Sequence, residues 1–294
     1  MSSDHEKSPD KPLAPGLYLV ATPIGNLEDI TLRALRVLRG VDRIACEDTR
    51  QTQKLLNHFE IRTPTVSYHM HNEGPRAEEL TAELKVGGRI AVVSDAGTPG
   101  IADPGGQIAV AAIEAGVAVF PVPGANAAIS GLIASGLPAE RFTFHGFLPA
   151  KAGQRKTALE GLVRGNVTHV FYEAPHRILD SLADVEAVFG ASQHVVIARE
   201  LTKLHEEFLR GPVGELRAQL AARASVRGEI VLMLAPASIE SSSDKRASLA
   251  AEVAGLVKSE GLSEMDALKR VARERGIGKS EAYRELQREQ KRRR

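Results

Sequence analysis

Short runs of apolar, mostly β-branched residues alternate along the first half of the chain with stretches in which apolar residues recur every three or four positions. The runs lie at 17–21, 43–46, 65–68, 90–93 and 117–122. Short runs that are apolar throughout are typical of strands buried on both faces of a parallel sheet, and the periodic stretches between them predict helices. The pattern therefore predicts an α/β domain with a mainly parallel sheet over residues 16–122.

A second set of strand-like runs follows residue 141, and these runs lie closer together after residue 194. They are found at 142–144, 168–172, 194–198, 206–209 and 230–234. The closer spacing predicts a mixed sheet in a second α/β domain over residues 123–236. A Ser-rich stretch at 237–247 predicts a linker, and periodic stretches predict a helical appendage over 248–294. The polar residues 1–15 predict a disordered leader without the apolar core of a signal peptide.

The loop after the run Ile90–Val93 is long and rich in glycine and proline. It reads SDAGTPGIADPGG over residues 94–106 and precedes a periodic apolar stretch. Asp103 and Pro104 fit the N-cap and the first position of the helix that follows. In open α/β sheets ligands bind at the carboxyl ends of the strands, and glycine lets the backbone approach a ligand closely. A tight turn without a ligand is the alternative, but the length of the loop favours binding.

Two further loops follow predicted strands and contain glycine and proline. They read TPIGNL at 22–27 and PVPGANAA at 121–128. Small residues at the start of a helix leave its free N–H groups open to a ligand, although they also allow a helix to pack closely on a sheet. No G-x-G-x-x-G follows the first strand, and no P-loop sequence occurs. Dinucleotide-binding Rossmann and P-loop NTPase functions therefore lose their main support.

Polar groups follow several predicted strands. EDTR stands at 47–50, EAPHR at 173–177 and RELTK at 199–203. From spacing alone, ion pairing and helix capping are the simpler interpretation of EDTR. The alternative is that these groups form two polar rims, one on each domain, that face each other across a binding site.

Histidine and cysteine give little support to metal or thiol chemistry. His69 and His71 are weak candidates as metal ligands because no third ligand stands at a usual spacing, so no metal is expected. Cys46 lies in a strand-like run, where a buried structural cysteine is the commoner case. A single cysteine cannot form an internal disulfide, which fits a reducing cytosol.

Charge is concentrated at the C-terminus. The chain as a whole has a formal net charge of +1, which does not suit a general polyanion binder. From residue 263 onward, eleven Lys and Arg stand against six Asp and Glu, a local excess of about +5. Two helical patterns separated by the turn GIGKS at 276–280 resemble a helix-turn-helix. Phosphate contact is favoured over a merely solvated helical face. No apolar run approaches the roughly 18 residues of a membrane span.

Five motifs in order resemble the tetrapyrrole-methylase-type (class III) methyltransferases, and more narrowly their bacterial branch that methylates small-subunit rRNA. They are LVATPIGNL at 19–27, EDTR at 47–50, SDAGTPGIADPG at 94–105, PGANA at 123–127 and FYEAPHR at 171–177. The resemblance covers about residues 17–234. It implies two α/β domains with S-adenosyl-L-methionine in the cleft between them, and a homodimer in the cytoplasm. It also implies methylation of the ribose 2′-hydroxyl of a decoding-region cytidine in 16S rRNA within the 30S subunit.

The resemblance also implies a set of cofactor-binding residues, which come from the three loops and from the second domain. They are Pro23, Asp95, Gly97, Thr98, Pro99, Ile101, Asn126, Ala127, Tyr172, Glu173 and Gly228. This chain departs from the porphyrin-ring methylases in one motif. Porphyrin-ring methylases tend to have Gly-Gly-Asp-Pro where this chain has AGTP at 96–99. The departure argues against a porphyrinoid substrate, and the basic C-terminus agrees.

A ribose hydroxyl is a poor nucleophile, so a base or a cation that lowers its pKa would help the transfer. Asp48, Arg50 and His176 are the catalytic candidates, although His176 could equally begin a helix. The RNA-binding candidates are Arg177, Arg199, Lys203, Lys269, Arg270, Arg273, Lys279 and Arg284. The alternatives are a tetrapyrrole or diphthamide-type methyltransferase of the same fold and a non-catalytic RNA-binding protein.

Overall fold

The computed structural model describes residues 12–70, 72–163, 166–236, 249–275, 278, 282–283 and 286. The chain divides into two compact units, Met1–Pro236 and Ala237–Arg294. Most of the predicted leader and all of the predicted linker lie outside the described residues. Among the described residues, no helix is long and apolar enough to cross a membrane.

The first sheet is parallel throughout and has the strand order β3-β2-β4-β1-β5. Its strands are β1 Gly16–Val20, β2 Arg43–Cys46, β3 Thr65–Ser67, β4 Arg89–Val93 and β5 Val119–Val122. The helices that connect or follow them are α1 Leu32–Gly40, α2 Thr49–His58, α3 Glu73–Lys85, α4 Gly106–Glu114 and α5 Ala127–Ser135. Because all five strands run the same way, the loops that follow them emerge at one edge of the sheet.

The second sheet is mixed and has the order β6-β7-β10-β8-β9. Its strands are β6 Phe142–Phe147, β7 Thr168–Glu173, β8 His194–Arg199, β9 Glu207–Pro212 and β10 Ile230–Leu234. The helices of this half are α6 Ala152–Glu160, α7 Ile178–Phe189 and α8 Val213–Ala221. β6 pairs parallel with β7, whereas β10 runs antiparallel to both of its neighbours. The predicted α/β class and the mixed second sheet are confirmed.

Each sheet is covered by apolar side chains on both faces. One face of the second sheet packs against α5, whose Ala128 and Leu132 join Val170, Val196 and Val231 in a single buried cluster. The helix that follows the last strand of the first sheet therefore packs on the second sheet. The two sheets together form one compact unit, and the boundary at residues 122 and 123 stays a prediction.

The N-termini of the helices correct one prediction. Thr31 caps α1, since its hydroxyl accepts the Ala34 N–H at 3.0 Å. The prediction that Asp103 caps α4 is wrong. α4 begins at Gly106 with Gly105 as its N-cap, and Gly105 has a φ of 136° and no side chain to accept a bond. Asp103 lies two residues before this N-cap.

The described part of the C-terminal unit contains α9 Leu249–Glu260 and α10 Glu264–Arg275. Leu249 and Val253 pack against Leu268 and Val271 in a core of their own. Ser263 caps α10, because its hydroxyl accepts the Asp266 N–H at 3.1 Å. Most of the predicted helical pattern that follows the turn at 276–280 lies outside the described residues.

Candidate active site

Three loops are joined by hydrogen bonds where neighbouring strands of the first sheet end. The loop after β1 and the loop after β4 exchange two backbone bonds between Thr22 and Gly97, at 2.9 and 3.1 Å. The Thr98 hydroxyl then donates to the Ala125 carbonyl at 3.1 Å, and the Asn126 amide donates to Thr98 Oγ1 at 3.3 Å. The three motif-bearing loops therefore form one connected rim, because β4, β1 and β5 are adjacent in the sheet.

The loop after β4 is bent by four residues with left-handed backbone. Gly97, Gly100 and Gly105 have φ of 82°, 81° and 136°, and Ala102 has a φ of 64°. Glycine adopts such angles without steric cost, which explains the glycine-rich sequence. Ala102 is the exception, since a residue with a Cβ adopts this conformation at a cost of about 1–2 kcal/mol. The strained residue lies immediately before Asp103.

A cavity of about 430 Å³ lies between this rim and the second sheet. The first half of the chain lines it with Ile24, Glu47, Asp95, Ala96, Gly97, Thr98, Ile101, Asp103 and Ala127. The second half contributes Phe147, Tyr172, Glu173, Ala174, Pro175, Ala198, Leu201, Glu229, Ile230 and Val231. The volume falls in the range of small-molecule sites, and apolar walls with a few polar groups are typical of such sites.

The polar groups of the cavity are mainly acidic. Burial and the nearby charge of Glu47 raise the pKa of Asp103 to about 6, and Asp95 adds to this effect. Burial also raises the pKa of Glu47, with Asp95 as the next cause. Acidic walls favour a ligand that carries positive charge.

Glu173 is held rigidly at the end of β7. Its carboxylate accepts hydrogen bonds from the Ser181 hydroxyl at 2.6 Å and from the Ala174 N–H at 2.8 Å. Arg177 Nε lies 3.3 Å from the same carboxylate. A buried carboxylate with this many partners keeps one orientation.

Near β10, an ion-pair group formed by Lys203, Glu200 and Glu229 supports the cavity wall. Lys203 Nζ lies 3.0 Å from Glu200 and 3.2 Å from Glu229. Glu200 Oε1 also accepts the Glu229 N–H at 3.0 Å. Gly228 allows this arrangement, because a Cβ there would lie 2.3 Å from Glu200 Cγ. Contacts with Lys203 and Glu200 therefore hold Glu229 in the cavity wall.

The residues predicted to bind the cofactor are largely brought together. Asp95, Gly97, Thr98, Ile101, Ala127, Tyr172 and Glu173 line the cavity. Pro23, Pro99, Asn126 and Gly228 are not in the lining but are adjacent in sequence to residues that are. Asn126 ties two of the loops together and caps α5, since its side chain accepts the Ile129 N–H at 3.1 Å. These four positions lie beside the wall rather than in it.

The three predicted catalytic residues are not among the lining residues. Asp48 caps α2 by accepting the Arg50 N–H at 2.8 Å, and its carboxylate pairs with the Arg50 guanidinium at 3.1 Å. The Arg50 side chain is 88% exposed. His176 follows the lining residue Pro175, just before α7. The capping and ion-pairing interpretation of EDTR is confirmed, and Glu47 is the member of that motif that reaches the cavity.

The predicted RNA-binding residues of the second sheet are engaged with carboxylates. Arg177 pairs with Glu173 and donates to the Leu148 carbonyl. Arg199 lies 3.0 Å from Glu207, and Lys203 forms the pairs described above. Arg177 and Lys203 hold the cavity carboxylates Glu173 and Glu229, and the contact of all three cations with RNA stays a prediction.

In the C-terminal unit, Lys269 pairs with Asp266 at 3.0 Å on the exposed face of α10. Arg273 is also exposed, and Arg270 is half-buried. Lys279 and Arg284 lie outside the described residues.

Cys46 is buried, with Sγ 3.7 Å from the Val66 carbonyl, and burial raises the pKa of its thiol. Its predicted structural role is confirmed. Among the described residues, which omit His71, no group of three or more His, Cys, Asp or Glu side chains could hold a metal ion.

Several lining residues were missed by sequence reasoning. Ala198, Leu201 and Val231 come from the second sheet and its loops, and no local pattern marks an apolar residue as lining rather than core. Phe147 lies beyond the predicted strand 142–144. β6 continues through an irregularity between Phe144 and Phe147 that returns Phe147 to register with Tyr172. Asp103 and Glu47 could have been found, because both are carboxylates at the predicted ligand-binding edge.

Comparisons with known proteins agree on the family to which this chain is similar. The sequence profile of the Tetrapyrrole (Corrin/Porphyrin) Methylases matches residues 16–217. A ribosomal RNA small subunit methyltransferase I of Halalkalibacterium halodurans is 55% identical over 218 residues, which are 74% of this chain and 75% of the relative. A protein of the same name from Synechocystis sp. is 46% identical over 91% of this chain and 95% of its own.

The solved structure of a diphthine synthase has a TM-score of 0.58 to this chain at 15% sequence identity. The match covers 74% of this chain and 89% of that one. At this identity the likeness shows a shared fold.

Proposed function

The chain belongs to the tetrapyrrole methylase family and, within it, to the ribosomal RNA small subunit methyltransferase I family, and we propose that it methylates the ribose 2′-hydroxyl of a cytidine in the decoding region of 16S rRNA. The observation that carries this proposal is the cavity, which is built by the same motifs that place the chain in the family. The cofactor is S-adenosyl-L-methionine.

The cavity fits this cofactor in size and chemistry. Its apolar walls, formed in part by Ile24, Ile101 and Val231, suit an adenine ring. Carboxylates suit ribose hydroxyls and positive charge, and Gly97 and Ala127 allow close approach. When bound, the cofactor supplies a methyl group on a sulfonium. The chain supplies position and electrostatics, because the reactive carbon belongs to the cofactor.

An RNA substrate is supported by cations that lie on exposed surfaces. Arg50 and Lys54 border a polar depression on α2, and α10 presents Lys269 and Arg273. Guanidinium and ammonium groups of this kind hold phosphates and position an RNA without reading its sequence. The target nucleotide would be turned out of its local structure to reach the cavity.

We further propose that the protein acts as a homodimer in the cytoplasm, on 16S rRNA within the 30S subunit. Exposed aliphatic side chains support the homodimer. Ile129 and Ile133 on α5 are 43% and 75% exposed, and Val110 and Ile113 on α4 are 55% and 64% exposed. Analytical ultracentrifugation of the full chain tests this part, with a dimer expected and a monomer at micromolar concentration contradicting it.

The main experiment is methyl transfer from labelled S-adenosyl-L-methionine to purified 30S subunits, with naked 16S rRNA in parallel. The label is then mapped to base or ribose. Ribose label on one cytidine of the decoding region is the expected result. Label on a base, or transfer only to a porphyrinoid or to an elongation factor, would overturn the proposal. Cofactor binding without any transfer would favour a non-catalytic RNA-binding protein.

The role of the C-terminal unit has its own test. Replacement of Lys269, Arg270 and Arg273 by Gln removes three cations from the described part of α10. We expect cofactor affinity to stay unchanged, while 30S binding weakens and its salt dependence becomes less steep. An unchanged salt slope would exclude phosphate contact by this helix.

A further inference from the structure

We propose, on the basis of the function proposed above, that the ring of Phe147 is the surface on which the base of the target nucleotide stacks when that nucleotide enters the cavity. Phe147 is the last residue of β6 and lines the cavity. It lies beyond the strand predicted at 142–144, so its sequence context did not indicate a role.

Phe147 is the most exposed of the large apolar residues that line the cavity. Its exposed fraction is 54%, and that of Ile101 is 40%. Ile24, Leu201 and Val231 are buried, with exposed fractions of 7%, 8% and 3%. The enclosed apolar wall is therefore formed by other residues, and Phe147 presents its ring at the opening of the cavity. A group that arrives from solvent meets this ring first.

An irregularity in β6 turns the Phe147 ring toward the cavity. In a regular strand, residues three positions apart point to opposite faces of the sheet. Phe144 and Phe147 are three positions apart, yet both rings lie beside Tyr172, with ring centroids 4.9 and 5.8 Å from its own. The strand shifts register between them, and Gly146 has a left-handed φ of 66°. Irregularities of this kind re-aim side chains beside active sites.

The backbone immediately after the ring is held from the cavity side. Arg177 donates a hydrogen bond to the Leu148 carbonyl and pairs with the buried carboxylate of Glu173. Leu148 itself is buried in the core of the second sheet. Phe147 is therefore followed by a residue that is fixed through both its carbonyl and its side chain.

A second arginine fixes the next two residues. Arg155 Nη1 donates to the Pro149 and Ala150 carbonyls at 3.4 and 3.3 Å. Arg155 is buried, and its Nε lies 2.6 Å from Asp184. An exposed ring on a backbone held in this way is already placed before a ligand binds, so little freedom is lost on binding.

A planar ring at the cavity opening suits a nucleobase. Enzymes that act on an extruded nucleotide hold its base by stacking on aromatic or apolar side chains. Phe147 has no hydrogen-bonding group, so the ring holds the base in place without selecting one base over another. Because the base is bonded directly to the ribose, a stacked base also restricts where the 2′-hydroxyl lies relative to the cofactor.

The first test is a substitution series at Phe147. Phe147→Tyr keeps a stacking ring, Phe147→Leu keeps only apolar bulk, and Phe147→Ala keeps neither. With 30S subunits below saturation, the single-turnover methylation rate should fall about 5- to 150-fold in Phe147→Ala and nearly as far in Phe147→Leu. It should stay within about threefold of wild type in Phe147→Tyr, because the tyrosine ring also stacks.

The control for this series lies on the same strand. Phe142 is 39% exposed and, among the described residues, is not in the cavity lining. Phe142→Ala should therefore keep the wild-type rate within about threefold, since it removes an exposed ring of the same size that the base does not reach. Calorimetry should give a dissociation constant for S-adenosyl-L-methionine within about threefold of wild type in every variant, because the ring is assigned to the RNA.

The second test detects the stack directly. The chain contains no tryptophan, so Phe147→Trp carries a single indole. Naked 16S rRNA, added with S-adenosyl-L-homocysteine, should quench its fluorescence, whereas the emission of Phe142→Trp should stay unchanged. Emission from Phe147→Trp that neither this RNA nor an excess of cytidine 5′-monophosphate quenches would contradict the stack. Equal quenching by S-adenosyl-L-methionine alone would assign the ring to the cofactor and overturn the proposal.

The outcomes separate the two proposals. If the wild type does not label ribose, the proposed function fails, while the fluorescence titration still tests whether a base stacks on the ring. If the wild type labels ribose and Phe147→Leu keeps its rate, apolar bulk is sufficient and the stacking role alone is overturned. A Phe147→Ala variant that loses cofactor affinity would overturn it in favour of a cofactor contact. One that sediments as a monomer where the wild type is a dimer would overturn it in favour of a contact between two copies.

Discussion

The backbone N–H of Asn26 donates a hydrogen bond to Thr202 Oγ1 at 3.1 Å, which joins the loop after β1 to the loop between β8 and β9. Gly25 makes this approach possible, since a Cβ there would lie 2.4 Å from Lys203 Cγ. Ile24 and Leu201, next to these contacts, face the same cavity. The bond therefore fixes how far apart the two halves of the cavity stand on this side.

Loss of this bond should weaken cofactor binding without unfolding the protein. Thr202→Ala removes the acceptor, and because the bond is exposed we expect a two- to fivefold higher dissociation constant, about 1 kcal/mol or less. Thr202→Ser keeps the hydroxyl and relieves a β-branched residue at a φ of 65°, so it should bind at least as well as wild type. Equal affinity in both variants, measured by calorimetry, would show that the bond does not control the cavity.

The two sheets were predictable from the sequence because their strands are buried on both faces. Runs such as Ile90–Val93 have no polar side to satisfy, and a fully apolar run of this length allows few structures. The bond between Asn26 and Thr202 joins residues 176 positions apart, and the sequence of neither loop indicates that it contacts the other. The cavity could be predicted at one edge of the first sheet, but its opposite wall could not.

The anchor at Glu73 should affect both stability and binding. Glu73 is buried, and its Oε1 accepts from Tyr68, Gly105 and, at 3.4 Å, the Gln107 N–H. Glu73→Ala leaves these donors without a partner, so we expect a loss of about 2–4 kcal/mol in the free energy of unfolding. Because the same bond holds the end of the cofactor loop, affinity for S-adenosyl-L-methionine should fall as well.

Tyr68→Phe is the matched comparison for Glu73→Ala, since it removes a hydroxyl from the same cluster and leaves the Gly105 bond in place. It should cost about 1–2 kcal/mol in urea unfolding and leave cofactor affinity near wild type. If the two variants lost affinity equally, the effect would come from general loosening and not from the loop anchor.

A side chain at Gly228 should be destabilising because it would overlap Glu200. Gly190 serves as the control for backbone strain alone. Gly228 and Gly190 have nearly equal φ, 90° and 89°, so a residue with a Cβ is strained at both. At Gly190 the added Cβ meets nothing within 4 Å, whereas at Gly228 it overlaps Glu200. Gly228→Ala should therefore lower the melting temperature more than Gly190→Ala and, by displacing Glu229, weaken cofactor binding.

The comparison is made by thermal unfolding and calorimetry on both variants. If Gly190→Ala also reduced cofactor affinity, the contact between Gly228 and Glu200 would not be the cause.

The motif EDTR shows how precisely the site could be located from the sequence. Glu47 follows the buried Cys46 and reaches the cavity, while Asp48, one position later, caps α2. A one-residue difference of this kind depends on where the strand ends and the helix begins, which is the least certain part of a sequence interpretation. Asp103 was assigned to a helix cap for the same reason, since the left-handed turn at Ala102 cannot be read from an alanine.

The stability of the second sheet should depend on pH through Glu207. Its carboxylate lies 2.7 Å from Arg223 and 3.0 Å from Arg199. Hydrogen bonds from Arg223 lower its pKa to about 2, with Arg199 assisting and partial burial opposing. A carboxyl whose pKa is lower in the folded state stabilises the protein above its unfolded pKa, about 4.3, and loses that contribution as the pH falls through about 2.

Urea unfolding of wild type and Glu207→Gln between pH 6 and pH 2 measures this contribution. The wild type should be more stable by about 1–3 kcal/mol above pH 5, and the difference should shrink steadily toward pH 2. Glu186→Gln removes a more exposed pair with Arg217 and should cost less than about 1 kcal/mol. A difference between wild type and Glu207→Gln that stayed constant with pH would mean that the two arginines act by packing and not by holding the carboxylate charged.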